Sequence, residues 1–260
     1  MRTAANPFYA NRRSRPATVA EAIPPRPARP SDYGVTYARL PRAPVNASPV
    51  PHLTSLYHSA EAGDYGSRAY PGNCGGNLIK DLIRFYNVRS VMDSMTGSGT
   101  CRDVCQELGV YCYSSDLHQG VDACDPANFP KGCFEFAWLH PPYWRQKVYS
   151  LSDDRDLSRT PTLAAFLDRY RQLIATAAGT LVPGGRLAIL MGDYTDREAG
   201  FVPLVYWTKN IAFDLGLRQC ATDIVRFSHG ASSGRKVYRS SFIPGLHDVC
   251  AVFTAGPSGR

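Results

Sequence analysis

Residues 136–144 read Phe-Ala-Trp-Leu-His-Pro-Pro-Tyr-Trp, an apolar run that stops at two consecutive prolines. Each proline fixes its own φ and lacks an N–H, so neither a helix nor a sheet ladder continues through Pro141 and Pro142. His140, before them, is pushed toward extended backbone. The carbonyls at this corner point in set directions with no local donor to satisfy them, and an aromatic residue follows at once. A strand-like approach, a rigid corner and a presented ring suit the holding of a flat polar ring that carries an amino group. The same residues also suit a strand ending in a proline turn, with Tyr143 and Trp144 as ordinary core residues.

Upstream, Val91-Met92-Asp93 runs into Ser94-Met95-Thr96-Gly97-Ser98-Gly99-Thr100, and residues 101–109 then read as a helix. In an α/β sheet the turn after the first strand lies at the carboxyl edge, where ligands bind. Glycines there let the backbone approach a ligand closely; a tight strand-to-helix turn would use them equally well. The next strand candidate, 110–116, ends on Asp116, and an acid in that place commonly accepts hydrogen bonds from ribose hydroxyls. A third acid-bearing segment, Gly120-Val121-Asp122-Ala123-Cys124-Asp125, comes just before the Pro-Pro-Tyr strand. The dehydrogenase fingerprint Gly-x-Gly-x-x-Gly is absent.

The order Asp-x-x-x-Gly-Ser-Gly-Thr, second-strand acid, Asp-Ala, then x-Pro-Pro-Tyr resembles the S-adenosylmethionine-dependent amino-methyltransferases that act on adenine N6 or cytosine N4 in DNA. The resemblance covers roughly residues 70–253. It implies a Rossmann-like class I methyltransferase fold: one α/β domain, a mostly parallel seven-stranded sheet with helices on both faces, and an antiparallel final hairpin. It implies S-adenosylmethionine as cofactor, with Asp93, Thr96, Gly97, Ser98 and Gly99 as the methionine-side loop. By the same resemblance Asp116 binds the ribose, Asp122 and Ala123 lie against the adenine, and a helix starting in 73–80 closes over the cofactor.

The catalytic corner becomes His140, Pro141, Pro142 and Tyr143, with the Pro141 carbonyl as a second acceptor and Tyr143 stacked on the target base. The family has Asp, Asn or Ser where this chain has His140; a neutral imidazole can accept a hydrogen bond, whereas an imidazolium can only donate. His140 also reads as a turn histidine bonded to backbone. Trp144 is assigned to the substrate and leans toward the cytosine-type pattern. An RNA base methyltransferase and a non-catalytic nucleic-acid-binding or partner subunit remain the alternatives.

Charge is distributed unevenly. Residues 1–50 hold eight Arg, no Lys and two acids, a net of +6 out of +7 for the whole chain, together with nine prolines. Residues 1–70 therefore read as a basic, flexible extension and linker, and 71–260 as the folded domain. Such an arm can bind phosphates, as can the loop carrying Arg235, Lys236 and Arg239. Lys147 sits in a polar loop, 145–160, which also holds Tyr149, directly follows the corner and is assigned to substrate contacts. Beyond it, apolar residues from Leu163 to Ala177 follow helical spacing, residues 181–185 read as a Pro-Gly-Gly turn before a buried strand, and a further strand is expected across 219–227. With no separate target-recognition segment in view, sequence reading would come from short loops, the arm, a homodimer or a separate specificity partner. No long apolar run predicts a membrane span. The eight cysteines lack zinc-like spacings, Cys101 and Cys105 read as two buried thiols on one helix, and the setting expected is a reducing cytoplasm with no metal site.

Overall fold

The computed structural model describes residues 45–58, 63–227, 243 and 245–255, which belong to one compact unit beginning at Ala43. Most of the basic arm, and the loop with Arg235, Lys236 and Arg239, lie outside the described residues. In chain order the elements are β1 (Leu56–His58), α1 (Asn77–Tyr86), β2 (Ser90–Asp93), α2 (Thr100–Leu108), β3 (Tyr111–Ser114), β4 (Phe134–Leu139), α3 (Leu163–Gly179), β5 (Leu181–Met191), β6 (Tyr194–Asp196), β7 (Gly200–Val202), α4 (Leu204–Asp214), β8 (Leu217–Gln219), β9 (Ile224–Phe227) and β10 (His247–Ala255). The main sheet runs β1-β9-β10-β5-β4-β2-β3, with β8 also pairing β10, while β6 and β7 form a separate ribbon.

β3, β2, β4 and β5 are parallel, and β10 runs antiparallel to β5, β8 and β9. This is a doubly wound, Rossmann-like arrangement. Its parallel strands are apolar on both sides, as they must be when helices cover both faces. Val91, Phe136, Ala188 and Cys250 pack with Leu82 of α1 and Val104 of α2. Their neighbours Met92, Ala137, Leu187 and Ala251 pack with Phe166 and Tyr170 of α3 and Ile211 of α4. The side-chain period of two thus builds two cores from one sheet. α3 starts where the Thr162 hydroxyl accepts the Ala165 N–H at 3.1 Å, an N-cap that satisfies a donor the helix leaves open. The apolar stripe expected from sequence forms its buried face.

Three local expectations change. Among the described residues the sheet has eight strands where seven were expected; residues 56–58, expected in a linker, pair with β9, and Tyr57 buries itself by donating to the buried Asp81 carboxylate at 2.7 Å. The strand expected across 219–227 is two strands, β8 and β9. The break between them is held by the Gln219 amide, which donates to the Ala221 carbonyl and the Asp223 carboxylate. The Pro-Gly-Gly turn expected before β5 is a bulge inside it, since Leu181 pairs Phe134 while Arg186 already pairs Phe136. No helix among the described residues is long and apolar enough to cross a membrane.

Arg226 on β9 and Asp248 on β10 face each other in register and are 3% and 5% exposed. The guanidinium makes two bonds to the carboxylate, at 2.9 and 2.6 Å, and a third to the Cys74 carbonyl at 2.8 Å. Removing one partner of a buried pair leaves a charge in a poor environment, whereas replacing both by apolar groups is often tolerated. Arg226→Met should therefore lose about 3–5 kcal/mol, and Arg226→Met with Asp248→Leu should lose less than that single change. Urea denaturation of both variants measures this; equal losses would contradict the account.

Candidate active site

Because β2, β3 and β4 are parallel, their carboxyl ends share one edge of the sheet. Asp93 ends β2, Asp116 lies two residues beyond β3, and His140 directly follows β4. All three line one cleft, which encloses about 890 Å³ with its open mouth included. Crevices outside the carboxyl ends of such strands are the usual ligand sites of open α/β sheets.

The glycine loop forms one end of this cleft. Gly97 has φ 50°, and a Cβ there would stand 2.8 Å from the Tyr70 ring, so only glycine fits without displacing that wall. The Gly97 N–H donates to Asp116 Oδ2 at 2.9 Å, while Asp116 Oδ1 accepts the His118 N–H at 3.0 Å. The Ser114 hydroxyl donates to Thr96 Oγ1 at 2.6 Å. Asp116 thus anchors the loop as well as facing the cleft. Thr96, Gly97 and Ser98 line the cleft; Gly99 stands behind them as the left-handed N-cap of α2.

Asp93 is 2% exposed. Burial, with the Cys112 and Asp116 side chains adding to it, pushes its carboxyl up to about 8, against the pull of the Met95 N–H donated at 3.2 Å. Beside it the Ser94 hydroxyl lines the cleft, buried, with no hydrogen-bond partner among the described residues. A buried polar group without a partner calls for an explanation, such as a ligand it awaits.

Two expected ligand contacts divide. Ala123 lines the cleft, but Asp122 does not: its carboxylate is taken by Arg169 of α3, at 3.2 and 3.0 Å, and by the Cys124 N–H at 2.9 Å. Asp122 shapes the wall from behind.

At the proline corner His140 and Pro142 line the cleft, and Pro141 is buried beneath them. Tyr143, expected to present its ring, is absent from the lining. The ring packs where a Cβ on Gly192 would stand 2.9 Å from it, and its hydroxyl meets His140 Nε2 at 3.4 Å. Burial pushes that hydroxyl well above the usual tyrosine range. Trp144, expected at the substrate, is instead 2% exposed, with its indole N–H donating to the Thr160 carbonyl at 3.0 Å. Its φ of 46° turns the ring into the core. Lys147 is exposed and outside the lining.

The rings that do line the cleft are Tyr70, Trp138 and Tyr149. Tyr70 and Tyr149 lie 6.1 Å apart, tilted by 30°. Tyr70 was not singled out from sequence as a site residue, and Tyr149 was placed only within the loop assigned to substrate contacts. The loop that holds Tyr149 is ordered by the buried Asp156, whose carboxylate accepts the Ser150 N–H at 2.7 Å and the Ser158 N–H at 2.8 Å. The sequence signal for this was Asp156-Leu157-Ser158, in which an Asp bonds backbone two residues on.

No family model matches the chain, and no curated protein matches it. Among solved structures, a Thermus thermophilus protein named as a DNA modification methylase shares 24% identity over 54% of this chain and 53% of its own, with a TM-score of 0.38. A SAM-dependent methyltransferase from Archaeoglobus fulgidus shares 14% over 68% of this chain and 93% of its own, at 0.43. The cytosine-N4-specific PvuII DNA methyltransferase shares 13% over 52% of this chain and 47% of its own, at 0.38. The chain spans about half the length of the first of these.

Asp93 gives the site a pH signature. Its carboxyl titrates near its ordinary 3.8 when unfolded and near 8 when folded, so between those values the folded chain holds the extra proton. The stability linked to that proton is full below the unfolded value and is lost as pH rises through about 8. Asp93→Asn should flatten the fall in thermal midpoint between about pH 5 and 8. Calorimetric scans across that range check it, and parallel curves for the two proteins would refute it.

Proposed function

We propose that this chain is an S-adenosylmethionine-dependent methyltransferase that modifies the exocyclic amino group of a base in DNA, adenine N6 or cytosine N4. The observation that carries the reading is the presence, in one cleft, of the Asp93 and glycine-loop end and the His140-Pro141-Pro142 corner. Each half alone has plainer uses. Together they set a cofactor cradle against an amino-group acceptor.

The residues fit the cofactor. Asp93 and the unpartnered Ser94 hydroxyl would meet its amino-acid end, Thr96, Gly97 and Ser98 would line its methionine side, Asp116 would take the ribose, and Val121 and Ala123 would pack on the adenine. When bound, S-adenosylmethionine supplies an electrophilic methyl group on a cationic sulfur.

The chain's own residues do the rest. An exocyclic amino nitrogen is a weak nucleophile because its lone pair is delocalised into the ring. Acceptors on its N–H groups return electron density to it. A neutral His140 with its proton on Nε2 donates to the Tyr143 hydroxyl and keeps Nδ1 in its acceptor form; the Pro141 carbonyl is the second acceptor. The target base must leave its stack to reach the cleft. Tyr70 and Tyr149, in place of Tyr143, offer the stacking surface, a contact worth about 1–3 kcal/mol per base in comparable proteins. The basic N-terminal residues, Arg235, Lys236 and Arg239 would serve the phosphates.

Incubating DNA and RNA separately with labelled cofactor, followed by mass spectrometry of the nucleosides, tests the reading. N6-methyladenine or N4-methylcytosine from DNA is expected; label confined to RNA would move the substrate, and no label in either would end the proposal.

The two ends of the cleft should also separate kinetically. Asp93→Asn should weaken cofactor binding by about 2 kcal/mol, the scale of a charge-assisted hydrogen bond. His140→Phe should leave that affinity unchanged and slow single-turnover transfer by about 10²–10³-fold, the scale of a lost transition-state hydrogen bond. His140→Asp should retain transfer. Calorimetry and single-turnover rates distinguish these outcomes.

A further inference from the structure

Behind the glycine loop three thiols converge. Cys101 and Cys105 stand one turn apart on α2, and Cys112 comes from β3, which pairs with β2 beside that helix. Their sulfurs all lie within 4.8 Å of one another. Among the described residues no other set of three or more His, Cys, Asp or Glu donors converges in this way. Cys101 and Cys105 are 1% and 0% exposed, and Cys112 is half-buried. The third thiol is supplied by the fold, which is why a pair at helical spacing alone reads as packing.

Packing does not account for the grouping. A buried thiol behaves as a small hydrophobe and needs no second sulfur as neighbour. Three sulfurs from two elements meeting at one point are the donor set that soft, thiophilic cations select. A Zn–S bond is about 2.3 Å, so three thiolates around one ion stand about 4 Å apart; the observed spacing needs only small side-chain rotations to reach it. Cys101 also lines the cleft, which gives an ion a way in.

We infer that Cys101, Cys105 and Cys112 form a binding site for one thiophilic divalent cation of the zinc class. Three S–H bonds break, three sulfur–metal bonds form, and the protons go to solvent. The bound ion ties α2 to β3. These two elements carry the glycine loop and Asp116, so the site braces the cleft from beneath, with Cys101 alone of the three ligands at its lining.

The test uses the full-length, reduced chain in a Cys133→Ser/Cys220→Ser background, which removes the two exposed thiols. Titration with Co²⁺ should give a thiolate-to-cobalt charge-transfer band that saturates at one equivalent and disappears when Zn²⁺ is added. Adding Cys112→Ser should weaken Zn²⁺ binding at least as much as loss of an outer-shell partner does, about 10–100-fold, with circular dichroism confirming that the variant is folded. The background protein itself decides the matter if that variant does not fold: no charge-transfer band in it overturns the site. A band undiminished in folded Cys112→Ser overturns it too.

Discussion

The buried Arg226–Asp248 pair ties together parts of the chain that lie far apart in sequence. It lies across the antiparallel seam between β9 and β10, and a third guanidinium N–H reaches the Cys74 carbonyl, 152 residues away in sequence. Through that bond the segment before α1, whose Gly72, Asn73 and Cys74 wall the cleft, is held to the far half of the sheet. Desolvating two charges is expensive, and a buried pair is weak evidence for net stability. Its bidentate geometry instead fixes where strand, seam and cleft wall meet. Tyr143 lies within the field of both charges, so the corner that carries His140 is referenced to the same pair.

This explains which parts of the site were legible in the sequence. The glycine loop, Asp116 and His140 each sit at the end of a strand, and the parallel order of those strands carries them to one edge, so local motifs plus one topological rule suffice. The side chains that went astray depend on distant partners. Asp122 turns to Arg169, 47 residues on. Tyr143 turns toward Gly192 because that residue has no side chain to stop it. Trp144 finds the Thr160 carbonyl. A Pro-Pro-Tyr-Trp corner shows that rings are presented but not to which side, since that is decided by whichever neighbouring element leaves a space. The fold was readable for the same reason in reverse: apolar strands and capped helices are local. The edge strand β1 was missed because three residues carry too little pattern, and its pairing with β9 spans most of the chain.

The electrostatics of the cleft bear on what it can hold. Asp93, Asp116 and Asp156 all line it. Burial, with Asp116, Tyr149 and Asp156 nearby, pushes the Tyr70 hydroxyl up to about 12. Burial likewise pushes Asp93 up, with Cys112 and Asp116 opposing its ionisation as well. Both shifts have the same meaning: the cleft resists further negative charge, and a cation entering it would be stabilised. A ligand carrying an ammonium beside Asp93 would draw the carboxyl back toward its ordinary range, so binding and proton release are coupled. The proposed cofactor carries positive charge on both its amino group and its sulfur. An acidic floor that stays partly protonated until such a ligand arrives avoids the repulsion of crowded carboxylates in the empty cleft, yet presents full negative charge once the cation is in place.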